Sequence, residues 1–189
     1  SLENQHKLMT VKVESEVLRE TQLVVCLLFQ YAGMSFVDFA HLKERNIKNG
    51  ILDYNRQKTG TPMRLEILDT AELMRKELMG DKRPASGYLF SFLSGTKTGY
   101  EAYLEYNAAL SRFNRNLKAL KKAAGIASDV TSYTIRHSFA MALKEQNVPI
   151  EMISELLGHK SIKTTQIYLR SFSLEKMTEV NSTCFGSLR

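Results

Sequence analysis

The chain contains 189 residues, 43% of them hydrophobic, which suits one well-cored domain and is too short for two. Lys and Arg outnumber Asp and Glu by 26 to 20, and the net charge of +6 favours a polyanionic partner. No apolar run is long enough to cross a bilayer, no signal-peptide pattern opens the chain, and Cys26 and Cys184 fit no metal-ligand spacing. The composition argues against a membrane protein, and we expect no bound metal and a reducing cytosol.

The N-terminal part of the chain is predicted to be helical after a short polar lead. Residues 1–12 are polar and are interpreted as a linker or a frayed end. A helix is predicted at 14–31, where apolar residues recur at helical spacing and Gly33 provides a stop. Ser35 and Asp38 resemble a capping box, which predicts the start of a second, short helix.

A small antiparallel sheet is predicted next. Asn49 and Gly50 are the residue pair of a tight hairpin turn, and the strand after that turn continues to about Arg56. Residues 62–67 return as a third strand after a loop, and 70–79 are predicted to be helical.

The second half of the chain is predicted to be mainly helical. After a loop-rich segment at 81–99, helices are predicted at 101–124, 132–146, 149–158 and around Tyr168, with a further candidate at 174–180. The expected fold class is therefore mainly α with a small three-stranded antiparallel β-sheet (α+β).

Three short motifs toward the C-terminus carry side chains that suit phosphate chemistry. The strings YTIRHSFA, LLGHKS and TTQIYLRS contain Arg136, His159 and Tyr168 in that order. An arginine fork fits phosphate oxygens better than a lysine does, a histidine can reach the same phosphate, and a tyrosine hydroxyl can attack phosphorus. Singly, each could be structural: an Arg in an ion pair, a core His, a half-buried Tyr. Together their order and spacing predict a site that breaks a phosphodiester.

These motifs resemble the second conserved box of the tyrosine recombinases, the lambda-type integrases, and the likeness covers nearly the whole chain. It implies that family's catalytic-domain fold, and attack by Tyr168 to give a 3′-phosphotyrosyl bond without a metal or any other cofactor. It divides the chain into a linker at 1–12, a catalytic domain at 13–172 and a tail at 173–189 that is a candidate exchange helix. The family's N-terminal DNA-clamp domain has no counterpart here, so a catalytic fragment is expected.

The resemblance also assigns a proton donor. The family places a general-acid lysine on a β-hairpin, often in an RxKTG string, and residues 56–60 read RQKTG. Lys58 is therefore predicted to deliver a proton to the 5′-oxygen as the bond breaks. The alternative is an exposed turn lysine without a catalytic role.

Two positions depart from the family pattern. Tyr133 stands where a histidine is usual; a phenol can donate to phosphate but is a poor base near neutral pH, since its pKa is ordinarily about 10. Ser35 stands where the first arginine belongs, although Asp38 keeps the acidic position. Integrases of conjugative elements from gut anaerobes look similar in this box, which implies a working variant. We expect either a slow enzyme or a substitute cation, with Arg19 and Arg45 as flanking candidates.

Basic residues cluster in the segments 41–64 and 112–122, which is typical of proteins that bind a phosphate backbone. A solvated face is the alternative interpretation. The predicted helix at 101–124 is the candidate for the major groove, because Arg and Asn suit the edges of G and A. The candidate DNA-binding residues are Lys43, Arg56, Arg112, Arg115, Asn116 and Lys118.

The resemblance and the charge together predict a site-specific DNA recombinase or integrase that acts on double-stranded DNA. We expect a bacterial protein, cytoplasmic and nucleoid-associated, that is monomeric in isolation, forms a homotetramer on DNA and has no membrane partner. Two alternatives remain. One is a DNA-binding member of the family with impaired catalysis, for which Ser35 and Tyr133 are the evidence. The other is a type IB topoisomerase-like enzyme, against which the first box argues.

Overall fold

The computed structural model describes residues 2–81, 84, 87–169 and 182. In chain order these residues form α1 (Leu2–Thr10), α2 (Glu16–Gln30), α3 (Phe36–Ala40), β1 (Ile47–Lys48), β2 (Ile51–Asn55), β3 (Pro62–Glu66), α4 (Asp69–Met79), α5 (Gly99–Ala123), α6 (Ser132–Glu145), α7 (Ile150–Leu156) and α8 (Ile162–Tyr168). The predicted fold class, mainly α with one three-stranded antiparallel sheet, is confirmed.

Helix α2 forms the centre of the fold. Its residues from Thr21 to Leu28 are all buried, and the helix packs against α1, α4, α5 and α6. The second half of α2 is mainly apolar all round, which suits a position inside the domain. The chain leaves α2 through Ala32 and Gly33, which both have positive φ angles (54° and 64°), so the predicted stop is confirmed.

The interpretation of residues 1–12 as a linker or frayed end is wrong. Residues Leu2–Thr10 form a helix that packs on α2 and α6, and Leu8 is 1% exposed. The Gln22 side-chain amide donates to the carbonyls of Leu8 (3.1 Å) and Val11 (2.8 Å). The segment is polar in composition, but the burial of Leu8, the packing of Val11 against the core and the two bonds from Gln22 attach it to the domain.

The sheet presents a hairpin loop at one end. Asn49 and Gly50, with φ angles of 51° and 74°, form the predicted tight turn between β1 and β2. Strands β2 and β3 pair from Ile51 with Glu66 to Asn55 with Pro62. In the loop between these strands the backbone amide of Gly60 donates to the carbonyl of Arg56 (2.8 Å). The RQKTG string therefore forms the tip of the hairpin.

An aromatic cluster fixes the short helix α3. The Phe36 ring stacks on Phe113 of α5 with centroids 4.7 Å apart, and Phe39 stacks on Phe90 at 4.5 Å. Offset aromatic pairs of this kind add to the energy of area burial. Since Phe90 belongs to the loop-rich segment, this loop is anchored in the core, and α3 is held from two sides.

The helices of the second half follow the prediction with one correction. Thr131, not Ser132, is the N-cap of α6, because its hydroxyl accepts from the Thr134 amide. A second small core of Ala140, Ile153 and Leu157 joins α6 to the end of α7. The predicted tail at 173–189, its helix at 174–180 and Cys184 lie outside the described residues, Ser182 excepted.

Within the described part of the chain, no helix combines the length and the apolar character that a membrane crossing requires.

Candidate active site

Arg136 lies on the buried face of α6 and points at the ends of two other helices. Its side chain is 4% exposed. Nη1 donates to the carbonyl of Gly33 (2.8 Å), just after α2, and Nη2 donates to the carbonyl of Leu157, which ends α7. Carbonyls at helix C-termini lack partners within their own helix and carry partial negative charge. Two such turns therefore hold the guanidinium in place.

His159 contacts Arg136 through a ring nitrogen. Its Nε2 is 3.3 Å from Arg136 Nη2, and its Nδ1 is 2.9 Å from the hydroxyl of Thr165 on α8. Burial lowers the pKa of His159 to about 4, with the positive charges of Arg136 and Arg56 acting in the same direction. The imidazole is therefore neutral at physiological pH in the free protein.

Arg56 supplies a second guanidinium at the same place. Its side chain is 8% exposed, Nε is 3.3 Å from Asp38 Oδ2, and Nη1 donates to the carbonyls of Leu157 (3.0 Å) and Gly158 (3.3 Å). The Leu157 carbonyl thus accepts from both arginines. Sequence reasoning assigned Arg56 to a DNA-contacting surface, whereas the structure places it inside the cluster that contains Arg136 and His159.

Asp38 organises this second arginine. Its carboxylate accepts from Arg56 Nε, from the Gln57 amide (2.7 Å) and from the Ser35 hydroxyl (2.5 Å). A buried carboxylate is tolerated when it is paired and hydrogen-bonded in this way. Ser35 is small, and the guanidinium that approaches Asp38 comes from the hairpin instead of from α3. Neither Arg19, which pairs with Glu77 (2.7 Å), nor the exposed Arg45 takes that place.

Gly158 allows the close approach of Arg56. Its φ angle is +61°, and a Cβ there would lie 2.7 Å from Arg56 Cδ and 2.5 Å from Met63 Sδ. Only glycine combines this backbone conformation with this lack of space. The glycine of the LLGH string therefore has a structural reason that the sequence alone did not reveal.

The remaining predicted catalytic residues are on elements that also carry, or follow, members of this cluster. Lys58 is exposed in the turn of the β2–β3 hairpin, two residues from Arg56. Tyr133 is 60% exposed on α6, one turn before Arg136. Tyr168 is the last residue of α8, and its side chain lies outside what the structure describes. The structure therefore brings together Arg56, Arg136 and His159, whereas Lys58 and Tyr133 are exposed on the hairpin and the helix that carry Arg56 and Arg136.

The predicted DNA contacts on α5 do not share one face. Arg112 and Asn116, four residues apart, line a cavity of about 390 Å³ together with Val17 and Glu20 of α2. Arg112, Arg115 and Lys118 are exposed, and the 100° step of a helix places Lys118 on the side away from Asn116, with Arg115 next to Arg112. Lys43 lies near the hairpin, with Nζ 5.3 Å from the centroid of the Tyr88 ring.

No group of three or more His, Cys, Asp or Glu side chains is placed to hold a metal ion in the region that the structure covers.

The sequence model of the phage integrase family matches residues 3–175. The chain belongs to that family. The predicted relationship to the tyrosine recombinases is thereby confirmed, whereas the likeness to conjugative-element integrases of gut anaerobes stays a prediction. The match includes residues 3–12, so it also covers α1.

Individual family members match over shorter stretches. The tyrosine recombinase XerD of Lacticaseibacillus casei is 52% identical over 54 residues, 29% of this chain and 18% of that protein. The tyrosine recombinase XerC of Rickettsia typhi is 41% identical over 75 residues, 40% of this chain and 24% of that protein. The matched segments thus span less than a quarter of the length of these curated relatives.

Solved structures share the fold over nearly the whole chain. The XerA recombinase matches with a TM-score of 0.69 at 19% identity, covering 97% of this chain and 61% of that one. The Tn1549 transposon integrase, solved in complex with a circular intermediate DNA, matches with a TM-score of 0.66 at 13% identity, covering 94% and 63%. The recombinase catalytic fold is thus retained at low sequence identity.

Proposed function

We propose that this chain is the catalytic part of a site-specific DNA recombinase or integrase that cleaves and rejoins double-stranded DNA. The observation that carries the proposal is the convergence of Arg56, Arg136 and a neutral His159 at one turn of backbone. Two guanidinium groups can neutralise the charge that builds on phosphate oxygens in the transition state. Membership of the phage integrase family supports the same reaction class.

The proposed reaction exchanges one phosphate ester for another. The Tyr168 hydroxyl releases its proton to solvent as its oxygen bonds to phosphorus, and the bond from phosphorus to the 5′-oxygen breaks. Lys58, at the hairpin tip, transfers a proton to that leaving oxygen. The ester is kept in the 3′-phosphotyrosyl bond, so the reverse attack by a 5′-hydroxyl rejoins DNA without nucleotide hydrolysis and without a metal.

Arg56 takes the place of the arginine that Ser35 replaces in this proposal. Its position beside Asp38 and the Leu157 carbonyl puts a cation next to Arg136, where a second phosphate-binding group is needed. The expected deficit of one donor, about 3 kcal/mol of transition-state stabilisation, therefore does not arise. This argues for a working enzyme rather than an impaired DNA-binding protein.

The decisive test is covalent trapping. Nicked duplexes drawn from the DNA that flanks the gene should give a protein–DNA adduct, which denaturing electrophoresis resolves. Tyr168→Phe should bind the same duplexes without forming that adduct. Binding without any adduct in the wild-type chain would favour the impaired DNA-binding alternative, and relaxation of supercoiled DNA irrespective of sequence would favour the topoisomerase.

The assembly state is part of the proposal. We infer a monomer in solution and a homotetramer on a pair of recombination sites, in the cytoplasm of a bacterium and associated with its nucleoid. Light scattering with and without DNA tests the change in assembly. Tetramers without DNA, or monomers on a synaptic substrate, would contradict it.

A further inference from the structure

Most of the described side chains of helix α8 are exposed. Thr165 is fully buried at 0% exposure, whereas Ile162 and Ile167 are 40% and 76% exposed. Lys163, Thr164 and Gln166 are exposed as well. Among the described side chains of α8, Thr165 is thus the one that enters the domain, and it lies three residues before Tyr168.

The partner of Thr165 is the histidine of the candidate site. Thr165 Oγ1 lies 2.9 Å from His159 Nδ1, and His159 Nε2 lies 3.3 Å from Arg136 Nη2. An arginine nitrogen can only donate, so Nε2 must accept in that contact. The proton of the neutral ring is then on Nδ1, and the Thr165 hydroxyl accepts it. The network therefore assigns the tautomer of His159.

We propose that Thr165 is a positioning residue with two effects. It fixes the tautomer of His159, and it fixes the position of α8, the helix that carries Tyr168, relative to that histidine. The hydroxyl keeps the Nδ1 proton directed at α8, which leaves Nε2 directed at Arg136 and the phosphate position. The same bond ties the first turn of α8 to the histidine, so the nucleophile and its neighbouring imidazole are positioned together. This inference rests on the proposed function for its consequence in catalysis, but the tautomer assignment is independent of it.

If Thr165 acted only by filling space, a substitution that keeps its shape would have little effect. If it acts through its hydroxyl, a substitution that keeps the hydroxyl would have little effect. Thr165→Val keeps the shape and removes the hydroxyl, while Thr165→Ser keeps the hydroxyl and removes a methyl group. Thr164→Val, on the exposed side of the same turn, is the matched control for loss of a threonine hydroxyl. Thr165→Ala also lacks the hydroxyl and is available if the valine variant fails to fold.

The first measurement is the nitrogen NMR signature of His159 in the protein without DNA. The wild type, Thr164→Val and Thr165→Ser should show a protonated Nδ1 and an unprotonated Nε2. Thr165→Val, or Thr165→Ala, leaves the ring with the Arg136 contact but without the Thr165 acceptor, and should show a detectable population of the other tautomer. A ring that keeps the pure wild-type pattern in a folded variant without the hydroxyl would overturn the claim that Thr165 fixes the tautomer, whether or not the chain cleaves DNA.

The second measurement is the single-turnover rate of adduct formation. We expect Thr165→Val to lose between about threefold and tenfold, the worth of one hydrogen bond, and Thr165→Ser to stay near the wild type. Equal losses in the serine and valine variants would mean that only packing matters and would refute the positioning role. Absence of adducts in every protein, wild type included, would instead count against the proposed function.

Discussion

The two halves of the candidate site are built in opposite ways. The half that would hold phosphate is buried and fixed by several contacts: Arg56 is 8% exposed and bound to Asp38 and two carbonyls. The half that carries Tyr168 is a seven-residue helix with mainly exposed side chains, anchored by Thr165. Electrostatic stabilisation works best when its donors are preorganised, whereas a nucleophile must approach and leave. The difference teaches that the described contacts are concentrated around the groups that, in the proposed function, would bind phosphate.

The sharpest way to break this comparison is to remove the hairpin arginine. Arg56→Ala should lower single-turnover cleavage by about a hundredfold or more, because one preorganised donor is lost. It should also cost about 3–5 kcal/mol of unfolding free energy, since the buried Asp38 carboxylate loses its ion partner. Arg45→Ala, an exposed arginine nearby, is the control and should change neither quantity appreciably. Wild-type cleavage by Arg56→Ala would show that Arg56 is purely structural.

Exchanging the residues at positions 35 and 56 tests whether Ser35 and Arg56 are energetically coupled. Ser35→Arg alone should impair cleavage, because a second guanidinium would meet the one that already lies beside Asp38. Arg56→Ser alone should impair it too. The double variant should recover part of the rate, with a coupling energy of about 1–3 kcal/mol in the double-mutant cycle of cleavage rates. Additive losses would mean that the two positions act independently.

A substitution at Gly158 is a smaller perturbation of the phosphate-binding half of the candidate site. Gly158→Ala should lower the unfolding free energy by about 1–3 kcal/mol through its positive φ, and should reduce cleavage by displacing Arg56. Gly60→Ala, with φ +67° and nothing within 4 Å of a built Cβ, carries the strain without the clash. Denaturant unfolding and cleavage rates of both variants separate the two effects. Identical cleavage losses would contradict the contact with Arg56.

The smallest expected effect is on the pH dependence of stability. The pKa of His159 is about 4 in the folded protein, below the value of about 6.5 for a free histidine. The unfolded chain therefore takes up this proton first, and stability is complete above pH about 6.5 and falls as the pH drops toward 4. His159→Gln should flatten that fall in urea unfolding, and His6→Gln should not. An unchanged slope in His159→Gln would contradict the depressed pKa.

Local sequence signals predicted the elements well, because each depends on a few neighbouring residues. The Asn49–Gly50 turn and the stop after α2 follow from backbone conformations that few residues adopt. The order of Arg136, His159 and Tyr168 indicated the family, which the sequence model confirms. These features needed no knowledge of the tertiary fold.

The contacts that depend on distant parts of the chain could not be predicted in the same way. Arg56 reaches the Leu157 carbonyl across 101 positions of sequence, and in the sequence it is one of several basic residues in its segment. The helix at the N-terminus was missed because its composition is polar and its two buried residues are Gln5 and Leu8, which form no apolar stripe. One sequence signal could have indicated the role of Arg56. The arginine expected at position 35 is replaced by Ser35, and another arginine stands at the start of RQKTG.

The carbonyl of Leu157, which accepts from both arginines, has a consequence for how such enzymes are recognised from genomes. In the proposed function this site needs a second guanidinium beside the Leu157 carbonyl, and here the hairpin supplies it at Arg56. A search rule that demands an arginine in the first box would discard this chain as inactive. A search rule that accepts a small residue at the first-arginine position, provided that an RxKTG string supplies an arginine, would retain this chain. It would also retain other sequences in which the arginine has moved from the first box to the hairpin.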